Sequence, residues 1–398
     1  MTYKGIAAGA LLIVLLYLAL AYGIYTSLTS RVSGANDFYS RWSGARALFL
    51  EGRDPYSSDV TQSIQLGMRG RLSTPEEDQV AFAYPLYVAF LMLPLVALPY
   101  AQAQALWMAA LVLAVVGGAL VLSRLSRVPM TPALVLLITL GALFYYPSAR
   151  AILLGQFAII SFLCLVLAAW AIQERQDLAA GVLLALATVK PQLASLLVPF
   201  VLAWGFRQRR WRLVGGAAST LLALVVLACF WIPTWPLEFW QGMVGYTNYI
   251  HVGAPVQTAL SLVMPSDWVG PAALVAGMVL VVIAAAACLR STDDIAPAFN
   301  LTAFVTAWVA IRIGSSDQVL LLFPWLFWLL RLWQSGNRLL VVALWGVIVV
   351  IPWLVFLSTI RGDAESPLVT LVLPLLTLLA YVAAQFRFDL FLQRRHFG

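Results

Sequence analysis

Residues 178–212 read LAAGVLLALATVKPQLASLLVPFVLAWGFRQRRWR: two apolar runs meet at Lys190-Pro191-Gln192 and are closed by Arg207, Arg209, Arg210 and Arg212. The runs do not alternate with the strand period. Continuous apolar stretches cross a bilayer as helices, the form in which a segment satisfies its own backbone polar groups. Pro191 lacks an N–H and cannot continue a helical ladder, so the stretch is read as two spans, 178–190 and 192–206, that turn at Lys190. The arginine cluster marks the cytoplasmic end of the pair, because short cytoplasmic loops collect basic residues.

The rest of the chain repeats this pattern. Of 398 residues, 62% are hydrophobic and 10% charged, with a mean hydropathy of +0.91. Soluble domains are about a quarter charged, so this composition cannot cover a water-facing surface. A soluble enzyme, a disordered chain and a collagen-like rod are excluded, and the uninterrupted runs exclude an outer-membrane barrel. The expected fold is an all-α polytopic membrane protein with about 12 transmembrane helices, a single integral domain over 1–398. The net charge of +7 is what a basic cytoplasmic rim produces, and no nucleic-acid partner is expected. Cys164, Cys229 and Cys288 lie inside apolar runs, where a thiol behaves as a small hydrophobe. The run Gly5 to Leu28 is too long for a signal-peptide core and has no convincing cleavage motif, so it reads as a retained first helix.

The further spans are expected at 102–123, 131–147, 156–173, 213–231, 268–289, 297–313, 319–331, 339–357 and 367–385. Three stretches organise the domain: an extracytoplasmic loop with juxtamembrane or re-entrant helices at 29–101, a helical module at 102–206 and the C-terminal helices at 207–398. The segment Tyr84 to Leu98 is short and broken by Pro85 and Pro94, so it is read as re-entrant or interfacial. With this threading, fourteen short-loop basic residues fall on the side of the N-terminus. Four, Arg150, Lys190, Arg312 and Arg361, fall on the other. Both termini are therefore expected in the cytoplasm and the long first loop outside.

The polar residues that interrupt the apolar pattern gather on the outer side: Asp37, Arg150, Gln156, Lys190, His251, Gln257, Arg312, Asp317 and Gln318. Charges at the membrane boundary are costly unless they face a cavity and a partner, so their convergence points to one polar site. For Lys190 there remains the alternative of snorkelling to lipid headgroups. Asp37 has the alternative of capping a helix that begins at Phe38. Trp231, Trp235 and Trp240 fit an interfacial aromatic belt as well as a sugar platform.

Asp37-Phe-Tyr, Gly44-Ala-Arg46-Ala-Leu, Glu51-Gly-Arg53-Asp54-Pro55-Tyr56, Tyr84-Pro85-Leu86, Leu154-Gly155-Gln156, Ala180-Gly181, Lys190-Pro191, Phe239-Trp240 and Gln257-Thr258-Ala259-Leu260 follow one another along about two-thirds of the chain. In that order and spacing the sequence resembles the family 87 glycosyltransferases of the C-type membrane superfamily. The resemblance implies a polyprenyl-phosphate sugar donor, typically mannose and in some members arabinofuranose, and a glycolipid or polysaccharide acceptor outside the cytoplasmic membrane. It also implies that Asp37, in the first outer loop, is the base. Two departures stand out. Ser315-Ser316-Asp317-Gln318 occupies a position where relatives often have histidine, and Gln-Thr-Ala-Leu replaces a Gln-Ser-Leu-like motif.

Such a transfer needs a base within reach of the acceptor hydroxyl and fixed donors or positive charge at the departing phosphate. Asp37 serves as the base and Lys190, Arg150 and Arg312 as phosphate ligands; Tyr84, Gln156, His251, Gln257, Asp317 and Gln318 are expected to bind substrate. One base opposite the leaving group implies inversion. A retaining scheme needs a second flanking carboxylate. No cofactor is expected, and no metal, because divalent cations want clustered oxygen ligands and the first loop offers Asp37-Phe-Tyr rather than an Asp-X-Asp pair. The rival class is a secondary transporter of a sugar or small anion, which would carry repeated halves with matching broken helices. No internal repeat is found.

Overall fold

The computed structural model describes residues 3–32, 36–75, 77–245, 253–311, 313–361 and 365–396. The chain is all-helical, 79% helix, and no strand occurs among the described residues. Helix α1, Tyr3–Ile24, is followed on the same end of the molecule by α2, Asp37–Glu51, and α3, Ser58–Arg69. These last two are short, polar helices with ordinary punctuation. Asn36 and Ser57 accept from backbone N–H groups at the starts, and Gly52 and Gly70 adopt the left-handed conformation at the ends. The polar stretch after α1 is thus a folded cap. The proline-broken segment beyond it makes a 3₁₀ turn, Leu86–Val88, and the four-residue α4, Ala89–Met92. It is buried against α2, whose Trp42 and Arg46 donate to the carbonyls of Leu95 and Val96 at 3.0 and 2.7 Å. It does not form a spanning helix.

The body of the molecule begins with α5, Tyr100–Leu125, α6, Pro132–Phe144, α7, Tyr146–Leu154, and α8, Ala158–Gln173. It continues with α9, Asp177–Leu186, α10, Pro191–Arg207, α11, Trp211–Cys229, α12, Trp235–Gly245, and α13, Pro255–Ser261. It ends with α14, Ser266–Arg290, α15, Ala296–Val309, α16, Leu322–Gln334, α17, Arg338–Thr359, and α18, Pro367–His396. Among the described residues five helices are long and apolar enough to cross a membrane, or six if α6 and α7, bent by 56°, count as one span. The bend falls at Tyr145, which stands before the Tyr146-Pro147 start of α7, where proline is tolerated because its missing N–H would be unpaired anyway. Four further apolar helices are shorter than 18 residues. These features make the chain a polytopic membrane protein.

Burial separates centre from periphery. In α5, 56% of the apolar window is buried, against 6% in the first helix and 11% in α14. The exposed Leu, Val and Ile side chains of α1, α14 and α17 give those helices an apolar outer surface of the kind suited to hydrocarbon. At the α9–α11 crossing, a Cβ on Gly181 would lie 2.2 Å from the Leu213 carbonyl oxygen, so the backbones meet as only small residues allow. Lys190 stands between α9, with its 3₁₀ extension Ala187–Val189, and α10. Its extended backbone, φ −124° and ψ 91°, is the conformation that a following proline imposes.

Candidate active site

At the end of the bundle covered by α2 and α3 lies a polar cavity of about 280 Å³, toward the small end for a ligand site. Asp37, Tyr84, Gln156, Lys190 and Asp317 all line it, drawn from five separate segments of the chain. Asp37 is the first residue of α2. The cap of that helix is Asn36, whose Oδ1 accepts from the Phe38 N–H at 3.0 Å and from the Tyr100 hydroxyl at 2.9 Å. Asp37 is therefore released from capping, and its carboxylate belongs to the first turn of the helix.

Gln156 reaches the cavity through the geometry of Gly155. Gly155 ends α7 with φ +67°, and a Cβ there would lie 2.5 Å from Phe38 Cβ. Its carbonyl accepts from Trp107 Nε1 at 2.9 Å. Glycine is required on both counts, and the turn delivers the next side chain to the site. The Gln156 amide nitrogen donates to Asp37 Oδ2. Its oxygen accepts from Lys190 Nζ at 2.8 Å and from the Tyr84 hydroxyl at 3.3 Å. Lys190 is 5% exposed and forms an ion pair with Asp317, itself 3% exposed. Asp317 also accepts from the Gly314 N–H at 3.1 Å, within the turn that opens the 3₁₀ stretch Ser315–Leu321. One ion pair and two hydrogen bonds thus link Asp317, Lys190, Gln156 and Asp37 in sequence.

Several lining residues were absent from the candidates read from sequence. Arg41, one helical turn beyond Asp37, donates to the Asp37 backbone carbonyl and to the Tyr84 hydroxyl, the latter at 3.2 Å, with its guanidinium 4.6 Å from the Tyr84 ring centre. The i, i+4 spacing from Asp37 is a signal that could have found it. Glu365 takes hydrogen bonds from Tyr146 and Ser315, both at 2.8 Å. Gln192 lines the cavity, and its amide oxygen has no hydrogen-bond partner among the described residues.

The remaining candidates are placed elsewhere. Arg150 is not on the cavity wall; its Nε lies 3.7 Å from Glu365. Gln318 is fully buried, donates to the Thr370 carbonyl and lies behind the site. Gln257, on α13, is exposed and does not line the cavity. His251 and Arg312 lie outside the described residues. Among the described residues no three His, Cys, Asp or Glu side chains converge as a metal-binding group.

The sequence profile of glycosyltransferase family 87 matches residues 82–313, more than half of the chain. That match contains Tyr84, Gln156 and Lys190, with Asp37 before it and Asp317 after it. No curated protein and no solved structure gives a significant match.

Proposed function

The chain belongs to glycosyltransferase family 87, and we propose that it is an inverting, metal-independent enzyme that moves a sugar, mannose in the first instance, from a polyprenyl-phosphate donor to a hydroxyl of a glycolipid or polysaccharide. The observation that carries this reading is the Asp37 carboxylate on the wall of a polar cavity, freed from capping by Asn36 and steered through one oxygen by the Gln156 amide. The second carboxylate oxygen is available to take a proton.

In this reading the acceptor hydroxyl gives its proton to Asp37 as its oxygen attacks the anomeric carbon. The bond from that carbon to the phosphate oxygen breaks, and the lipid phosphate leaves as an anion with its electron pair. Lys190 and Arg41 supply positive charge to the phosphate. Lys190 shares its charge with Asp317, which fixes the ammonium toward Gln156. Tyr84 and Gln192 offer hydrogen bonds to sugar hydroxyls. Arg150 acts on the site through Glu365.

The proposed architecture is the C-type glycosyltransferase fold with about 12 spans, in which the shorter apolar helices also cross. The bias of basic residues supports cytoplasmic termini and a site on the extracytoplasmic face of the cell membrane.

The test is turnover of purified protein with polyprenyl-phosphate mannose and a lipid-linked mannoside acceptor. Asp37→Asn keeps the size and the Gln156 contact but cannot accept a proton, and turnover should fall by about 10² to 10⁴ with donor binding kept. Near-normal turnover would move the base to another cavity carboxylate, Asp78 or Glu365. Failure of the wild-type protein to consume any polyprenyl-phosphate sugar would refute the donor class.

A further inference from the structure

A second cavity, of about 610 Å³, lies at the other end of the same helices. Three elements run from one cavity to the other. α5 starts at Tyr100 beside Asn36 and ends with Leu122 and Leu125 in the second cavity. α8 starts just after Gln156 and ends with Ile172 and Gln173, and the segment that opens with Asp317 continues through α16 to Arg331. At 1.5 Å per residue the separation is about 20 to 30 Å, close to the thickness of a bilayer's hydrocarbon core.

The wall of this cavity is divided by chemistry. Its floor is apolar, with Phe299, Phe323 and Ile172 all buried. Its rim carries Arg127, Arg175 and Arg331, opposed by Asp293 and Asp294. Asp293 is taken by Arg175 at 2.8 Å, and Asp294 caps the start of α15 by accepting from the Ala296 N–H at 2.9 Å. Among the described residues no carboxylate pairs with Arg127 or Arg331; the Arg331 guanidinium lies 4.0 Å over the Phe327 ring. Between floor and rim is Asn300, only 6% exposed, with no hydrogen-bond partner among the described residues. Its amide is on the cavity wall, where a polar group of a ligand can reach it.

We propose that this cavity binds a phosphate ester carried by a membrane lipid. Arg127 and Arg331 contact the phosphate, the Asn300 amide donates to an oxygen on its chain side, and the aromatic floor receives the first carbons of the acyl chains. The apolar floor favours a lipid headgroup over free phosphate, and two guanidiniums without carboxylate partners favour an anion. The site is separate from the Asp37 cavity and does not depend on the transfer reaction.

The experiment is native mass spectrometry of the full chain with phosphatidylglycerol, with diacylglycerol as a probe that has chains but no phosphate, and with inorganic phosphate as competitor. One phosphatidylglycerol should remain bound per chain and diacylglycerol should not. Arg127→Gln and Arg331→Gln should each weaken retention about fivefold. Asn300→Leu, which removes the amide and keeps the side chain's length, should weaken it further, and the two surface arginine variants keep the test valid if that core variant fails to fold. Equal retention of diacylglycerol, or unchanged retention in both arginine variants, overturns the proposal. Binding of inorganic phosphate without preference for the lipid overturns the lipid source, and an empty, water-filled site overturns the whole.

Discussion

Breaking the Lys190–Asp317 pair tests the linked polar contacts on which the active-site reading rests. Both groups are at least 95% buried, so neither is screened by water as a surface ion is. Lys190→Met leaves the Asp317 carboxylate with only the Gly314 N–H and removes the 2.8 Å donor from Gln156, which keeps the Tyr84 hydroxyl at 3.3 Å. Removing one member of a buried ion pair costs about 3–5 kcal/mol. A lost hydrogen bond to a charged group is worth about 1.5–3 kcal/mol, and part of that is already contained in the first figure. Lys190→Met and Asp317→Leu should therefore each destabilise the protein by about 3–5 kcal/mol. Replacing both with apolar side chains leaves no uncompensated charge, and Lys190→Met/Asp317→Leu should return to within about 1–2 kcal/mol of wild type. Turnover should follow a different pattern. The double variant regains stability but still lacks the ammonium that orients Gln156 against Asp37, so its activity stays low. The assay is reversible unfolding in mixed micelles together with turnover at saturating donor. Additive losses in the double variant, or single variants within about 1 kcal/mol of wild type, would refute the buried pair.

Gly155→Ala forces a Cβ to within 2.5 Å of Phe38 in a left-handed backbone; it should cost about 1–3 kcal/mol and lower turnover by displacing Gln156, measured by thermal unfolding and by activity. Asn36→Ala should remove about 1 kcal/mol of capping, while Asn36→Asp keeps the capping acceptor but loses the donor to the Leu153 carbonyl; a loss of activity parallel to the stability change would show that the cap positions Asp37. The Glu77 carboxyl is held down to about 2 from the ordinary 4.5 by hydrogen bonds from Arg71 and from the Thr74 N–H. A depressed carboxyl stabilises the fold above its ordinary range, and that contribution is lost as pH falls from 4.5 toward about 2. Hydrogen exchange over residues 65–79 should therefore quicken in that window, and Glu77→Gln should flatten the response. Single-cysteine labels at Gln208 and Ser335 should react from one side of the membrane and labels at Thr74 and Ser366 from the other; one common side would overturn the threading.

The amino-acid sequence was sufficient for the helical membrane class, because a chain this apolar cannot face water and a helix is the local way to satisfy its backbone in lipid. It also marked Asp37, Gln156 and Lys190, since each interrupts an apolar pattern where a polar group is costly, and Pro191 dictated the extended turn that carries Lys190. Arg41 was within reach of the same reasoning as the i+4 neighbour of Asp37. What no local pattern contained was the choice of partners. Asp317 and Gln318 are adjacent in the chain, yet one pairs with Lys190 while the other turns away to the Thr370 carbonyl. Arg150 and Lys190 were equivalent as outer-face cations, yet only Lys190 lines the cavity, with Arg150 held behind Glu365. Those outcomes depend on the rotation and depth of each helix, which are set by close contacts such as Gly181 against Leu213 and Gly155 against Phe38. Packing between segments distant in sequence decides which side of a helix meets the cavity, and a pattern read along one segment carries no information about the surface that will press against it.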